Sequence, residues 1–156
     1  MDPGQHAMYW AAAKASDVAQ RYPDQWILGA DTIVVLDRVI LGKPNSPAEA
    51  AAMLSQLSGR SHEVITGLCL TQENAGVHTQ MYVETKVFMK KFTTEEILGY
   101  TNTGEPLDKA GSYGIQGIGA CLVERIEGSY SNVVGLPLCE AVELLRRHQV
   151  ADPFRR

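Results

Sequence analysis

With 156 residues, 45% of them hydrophobic, the chain can bury one sizeable core and is too short for two. Its formal net charge of −4 argues against the bulk basic surface that nucleic-acid binders use, so a polyanionic ligand would have to be held at one local site. No apolar run approaches the about 18 to 20 residues of a bilayer span, and the N-terminus has no basic and apolar leader pattern, so a soluble, cytoplasmic protein with no membrane partner is expected.

In chain order, the alanine-rich stretch from Ala7 to Tyr22, with Lys14, Asp17 and Arg21 interspersed, predicts an amphipathic helix closed by Pro23. Trp26 to Leu36 is apolar at both alternating positions and rich in Ile and Val, which predicts a strand buried on both faces. Asp37-Arg38 then separates it from Val39-Ile40-Leu41 by a turn without the usual glycine. Ser46-Pro47-Ala48-Glu49 is a capping box with proline at the first helical position, so a helix is expected from Pro47 to Leu57, stopping at Gly59. His62 to Thr71 and Val77 to Lys91 predict an antiparallel hairpin, and Thr93-Thr94-Glu95-Glu96 opens a short helix reaching Tyr100. A glycine-rich segment from Gly104 to Gly119, a strand from Ala120 to Ile126 and a last helix from Pro137 to His148 complete the chain. Hairpins and crossovers together predict an α/β domain around a mixed sheet.

Cys69, Cys121 and Cys139 are odd in number and lie in apolar contexts, as suits buried thiols better than disulfides or a zinc site. His6, His62, His78 and His148 lie far apart with no metal-ligating spacing, and are read as structural or surface residues.

Three features stand out against this frame. Asp31 sits inside an apolar strand, where a carboxylate costs several kcal/mol to desolvate unless it is paired, metal-bound or open to a cleft. Either it is satisfied by a neighbouring loop or it serves a site. Gly29 and Ala30 keep the preceding backbone small enough to admit something bulky, and Thr32 adds a hydroxyl. Lys43, in Leu41-Gly42-Lys43-Pro44, is either a surface lysine or a point charge for phosphate oxygens close to the Asp31 strand. The run from Leu107 to Gly119 holds Asp108, Lys109, Tyr113 and Gln116 among four glycines. It is either a plain loop or a pocket lining in which Gln116 reads a base edge with a donor and an acceptor. It matches neither the GxxxxGK[ST] nor the GxGxxG phosphate loop.

Gly29-Ala30-Asp31-Thr32 with Gly42-Lys43-Pro44, then Leu57-Ser58-Gly59-Arg60-Ser61-His62-Glu63-Val64-Ile65-Thr66-Gly67, then Asp108-Lys109-Ala110-Gly111 through Gly114-Ile115-Gln116-Gly117, and Gly128-Ser129-Tyr130-Ser131-Asn132-Val133-Val134-Gly135-Leu136-Pro137 resemble the successive motifs of the Maf proteins. They occur in that family's order and cover about Ala12 to Arg147. The resemblance implies a nucleoside triphosphate pyrophosphatase, of a type also described as a septum-formation inhibitor. It further implies an elongated mixed-sheet α/β fold, related to the inosine triphosphate pyrophosphatases, with a cleft between two lobes. By motif match Asp31 would be the proton acceptor and share in holding a divalent cation of the Mg, Mn or Co type. Thr32 and Gln116 fall at positions associated with substrate choice, and resemble the dTTP and UTP subgroup more than the 7-methyl-GTP one. Lys14, Lys43 and Lys109 would face the phosphates, and a homodimer is the family-level expectation. Splitting the α–β linkage calls for a positioned water, a divalent ion and cationic groups around the leaving pyrophosphate, which suits these residue types.

One departure bears on activity. Members of that family begin with a strand and a Ser-x-Ser-Pro-Arg-Arg loop that supplies phosphate-binding groups, and nothing before Met8 resembles it. Residues 1–156 are therefore expected to form a single domain lacking that strand and loop; either the start is displaced or this is a natural short form, and a natural short form would have reduced activity and an exposed sheet edge or apolar face. Two further readings remain at this stage. One is a nucleotide- or partner-binding regulator of septum formation without catalysis, and the other a pyrophosphatase of purine analogues such as inosine triphosphate.

Overall fold

The computed structural model describes residues 1–155, and in it helix α1 (Pro3–Arg21) starts ahead of the alanine pattern. The reason is local: the Asp2 carboxylate accepts the Gln5 amide at 3.2 Å, the Gln5 side chain accepts the Asp2 amide at 3.3 Å, and Pro3 fills the first turn. Ala7, Ala11, Ala15 and Ala19, four residues apart, form the buried stripe of this helix.

Strand β1 (Ile27–Leu36) turns into β2 (Val39–Leu41) through Asp37 and Arg38, both left-handed with φ of 50° and 68°, a primed hairpin turn made without glycine. Helix α2 (Pro47–Leu57) is capped by Ser46 and leads into the long hairpin of β3 (Ser61–Gln72) and β4 (Val77–Met89). Helix α3 (Thr94–Asn102) carries the expected capping box of Thr93 and Glu96. Three 3₁₀ turns follow, at Glu105–Asp108, Ala110–Ser112 and Gly117–Leu122, then β5 (Val123–Glu127), α4 (Tyr130–Val134) and α5 (Leu138–Arg147).

The sheet order is β2-β1-β3-β4-β5. The α/β class is as expected, while all four ladders among the described residues are antiparallel, with no parallel pair of the kind a mixed sheet contains. The two hairpins pair their own strands, and the α2 and α3 connections return the chain beside an antiparallel neighbour. β5 begins at Val123, later than expected, because Gly117 to Leu122 coil into a 3₁₀ turn first. The five-residue α4 is too short to show a helical period in the sequence.

In β1, Asp31 lies opposite Gly67 of β3 and Thr32 opposite Thr66. Alternation sends Ile33, Val35 and Ile65 to a layer with Ala7 of α1, and Val34, Leu36 and Val64 to the larger core with Leu54, Leu57, Val87, Tyr100 and Tyr113. α1 presses directly on the sheet: a Cβ on Gly29 would overlap the Ala11 carbonyl, and one on Gly67 the backbone of Ala7 and Met8. The space beside Gly29, expected to admit a ligand, is thus taken by α1.

Of the cysteines, only Cys69 is buried as expected, its thiol pushed up to about 11 by burial. Cys121 and Cys139 are exposed, which corrects the sequence reading: Cys121 lies on a surface 3₁₀ turn, and α5 turns Ala141 and Leu144 inward instead of Cys139. Among the described residues no helix is long and apolar enough to cross a membrane.

Candidate active cleft

On the α4 side of the sheet a cleft of about 260 Å³ is lined by Thr32, Lys43, Lys109, Tyr113 and Gln116, with Val134 and Gly135 closing it. Four of the six residues singled out in the sequence therefore meet, although they are far apart along the chain. Thr32 arrives on β1, Lys43 just after β2, and Lys109 and Gln116 on the glycine-rich segment, which the backbone bond from Gly111 N–H to the Gly42 carbonyl ties to the Lys43 loop. Lys109 holds Asp108 at 2.9 Å, and its stem packs where a Cβ on Gly114 would stand. Among the described residues Lys43 has no ion-pair partner, and the Gln116 side-chain amide bonds to no other group.

The other two, Asp31 and Lys14, are not part of this lining. Successive side chains on a strand leave opposite faces, so Asp31 points toward α1 while Thr32 enters the cleft. Lys14 Nζ meets Asp31 Oδ1 at 2.6 Å and donates to the Ala30 carbonyl at 3.3 Å; the Asp31 side chain stays 19% exposed and that of Lys14 57%. The cost of a carboxylate in an oily strand is thus met by an ion pair and partial solvation. The pair also marks an edge. β2 pairs only with Val34 to Leu36, so among the described residues Ile27 to Ile33 has a neighbouring strand, β3, on one side alone. Asp31 and Thr32 flank this free edge from its two faces, their α-carbons about 3.8 Å apart across one peptide.

The cleft floor is a hydrogen-bond network. Thr32 Oγ1 lies 2.8 Å from Thr66 Oγ1 and 3.2 Å from the Gly135 carbonyl, and Thr66 Oγ1 lies 3.4 Å from the Asn132 carbonyl. Two hydroxyl protons serve these three contacts, so the Thr32 proton is committed within the floor, and a ligand would meet its methyl and a remaining lone pair. The buried Asn132 amide nitrogen reaches the Val64 and Val83 carbonyls, both at 3.1 Å, and Thr85 Oγ1 at 2.9 Å, pinning α4 to the sheet. Beneath the cleft Tyr113 Oη lies 2.7 Å from His62 Nε2, and His62 Nδ1 is buried without a partner. Burial pushes His62 down to about 4 and Tyr113 well above the ordinary tyrosine range, so both are neutral at pH 7.

Sequence reading did not single out Asn132, Tyr113 with His62, or Glu105, whose carboxylate gathers Tyr100 and two backbone amides. A signal for Glu105 existed: a carboxylate between Gly104 and Pro106, at the mouth of a glycine-rich run, is well placed to collect loose amides.

For a divalent ion, no three His, Cys, Asp or Glu side chains gather among the described residues. A lone carboxylate such as Asp31 still fits a magnesium-type ion, which keeps several waters and takes its remaining ligands from substrate phosphates.

An α/β domain with a lysine-flanked cleft, a glutamine amide that no internal group occupies and a carboxylate at a free strand edge has the make-up of a polar small-molecule site. Comparison with known proteins agrees. The profile of the Maf-like protein family matches residues 1–148. The dTTP/UTP pyrophosphatase of Syntrophotalea carbinolica is 54% identical over 147 residues, 93% of this chain and 67% of that protein. Those of Desulfotalea psychrophila and Geotalea uraniireducens are each 52% identical, over 140 and 146 residues, covering 90% and 93% of this chain and 72% and 75% of theirs. The chain belongs to the Maf-like family.

Proposed function

We propose that this chain hydrolyses dTTP and UTP to the monophosphate and pyrophosphate. The observation that carries the reading is the meeting of Thr32 and Gln116 with Lys43 and Lys109 in one cleft, with the Asp31–Lys14 pair on the other face of the same free strand edge. It is supported by relatives at 52–54% identity that are named dTTP/UTP pyrophosphatases.

In this reading the Gln116 amide and the open lone pair of Thr32 contact the pyrimidine, an acceptor suiting the N3–H of uracil or thymine. Lys43 and Lys109 lie along the phosphates, with Lys14 completing the charge from the free edge of β1. Asp31 accepts the proton of a water that attacks the α-phosphorus, while the α–β bridging P–O bond breaks and its electrons leave with pyrophosphate. A divalent cation, with Asp31 as its protein ligand, would offset negative charge on the triphosphate.

The test is pyrophosphate release from a panel of dTTP, UTP, dGTP and ITP with a divalent ion. Release from the two pyrimidine nucleotides is expected, and Asp31→Asn should reduce it by roughly 10²–10⁴-fold. Because Lys14 is more than half exposed, losing the ion pair should cost under about 1 kcal/mol of stability. Folded wild-type protein that binds these nucleotides and releases no pyrophosphate would refute the reading.

A further inference from the structure

Gln116 is useful for selection only if its amide is presented at fixed geometry, yet it lies on a loop with glycines at positions 114, 117 and 119. That loop is not left to itself. The Glu105 carboxylate accepts the amide of Gly119 at 2.9 Å and that of Ile118 at 3.1 Å, and also the Tyr100 hydroxyl at 2.8 Å. The same Tyr100 oxygen accepts the Gly114 amide at 3.2 Å. Both ends of the segment carrying Gln116 are therefore anchored to one tyrosine–carboxylate pair.

The loop closes tightly on this pair. Gly117 is left-handed at φ 69°, and a Cβ on it would stand 2.8 Å from Glu105 Oε2. On Gly119 a Cβ would overlap the Gly114 carbonyl and come within 2.6 Å of Tyr100 Oη. Burial pushes the Glu105 carboxyl up, but the Tyr100 hydroxyl and the Gly119 and Ile118 amides outweigh it and hold it below the ordinary range. Glu105 therefore stays ionised at neutral pH and accepts its three bonds as charge-assisted ones, which are shorter and stronger than neutral ones.

We infer that Glu105, acting with Tyr100, is a positioning residue for base selection, holding the Gly114–Gly119 loop so that Gln116 meets the pyrimidine in a preorganised pose. The inference rests on the proposed pyrophosphatase reading for its substrate. Neither residue lines the cleft, so both act through Gln116. Preorganisation of a reading group saves its ordering cost on binding, and appears in KM and in the ratio between substrates more than in kcat.

The test compares wild type, E105A, E105Q, Y100F, Q116A and the E105A/Q116A double variant with UTP and GTP. E105A is expected to raise KM for UTP about tenfold, the order of one lost charge-assisted bond, and to erase most of the preference for UTP over GTP, with kcat much less changed. E105Q, which keeps a carbonyl acceptor, should recover part of the preference, and in the Q116A background E105A should change it no further. Amide hydrogen exchange at Ile118 and Gly119 should be slow in wild type and fast in E105A. If E105A does not fold, E105Q and Y100F support the same comparison. An unchanged substrate ratio in the folded variants, effects that multiply in the double variant, or equal exchange at the two amides would each overturn the inference. The ratio can also be taken from equilibrium binding of α,β-imido analogues. Protein inert toward UTP that nevertheless loses its uracil preference in E105A would support the positioning role and refute the catalytic reading.

Discussion

Replacing Gly67 and Gly99 by alanine adds the same methyl group and should move stability in opposite directions. A Cβ at residue 67 would overlap the Ala7 and Met8 backbone of α1, and main chain cannot rotate aside as a side chain can. Overpacking of this kind costs about 1–3 kcal/mol, and a helix held by four buried alanines belongs at the upper end. Removing a glycine from the unfolded chain returns about 0.4–1 kcal/mol, leaving a net loss near 2 kcal/mol and a fall in Tm of roughly 4–8 °C for a domain of this size. At Gly99, in α3, the added Cβ has no heavy atom within 4 Å, so helix propensity alone acts and about 0.8–1 kcal/mol is gained. Urea unfolding of both variants measures the difference. Because Lys14 rides on α1, folded Gly67→Ala should also turn over nucleotide more slowly as Lys14 is drawn from Asp31. If Gly67→Ala unfolds within about 0.5 kcal/mol of wild type, the reasoning from close helix–sheet approach is refuted.

Burial pushes His62 down to about 4 from the ordinary 6.5, so between these values the unfolded chain binds more protons and stability falls as pH drops from 6.5 toward 4. The loss should reach roughly 3 kcal/mol below that window, and His62→Gln should show a correspondingly shallower pH dependence of unfolding over it. Among the lysines, Lys43→Ala should raise KM for the triphosphate about tenfold, and Lys109→Ala by less, because Asp108 already offsets part of the Lys109 charge. Steady-state kinetics at one fixed ionic strength compares them, and a larger effect at Lys109 would contradict that charge accounting.

Much of the scaffold could be read residue by residue. The capping box at Thr93 and Glu96, the serine cap at Ser46, the Val and Ile run of β1, the glycine-poor turn at Asp37-Arg38 and the hairpin of β3 with β4 each express a preference confined to a few neighbouring residues; each is where expected, except that Glu49, expected to complete a capping box with Ser46, accepts the Asn45 amide instead. The overlooked start of α1 was equally local, since Asp2, Pro3 and Gln5 spell a capping box of their own. The chemical types gathered in the cleft were legible too: Thr32 as a hydroxyl next to a carboxylate in an apolar strand, and Lys43, Lys109 and Gln116 as cations and a donor–acceptor amide in glycine-bearing loops.

How these residues are disposed in space was not legible in that way. Asp31 and Thr32 are neighbours in the chain and yet serve opposite faces, and which face becomes the cleft depends on where α1 and α4 pack. Gly29, two residues before Asp31, proved to admit a helix, and the glycines around Gln116 proved to wrap a glutamate. Short-range backbone preferences are written in adjacent letters, whereas the anchoring of Asn132 on β3 and β4, or of a loop on Glu105 and Tyr100, joins groups separated by 13 to 68 residues along the chain. Such contacts exist only once the sheet and its helices have set the distances, and it is they that turn a set of suitable side chains into a site.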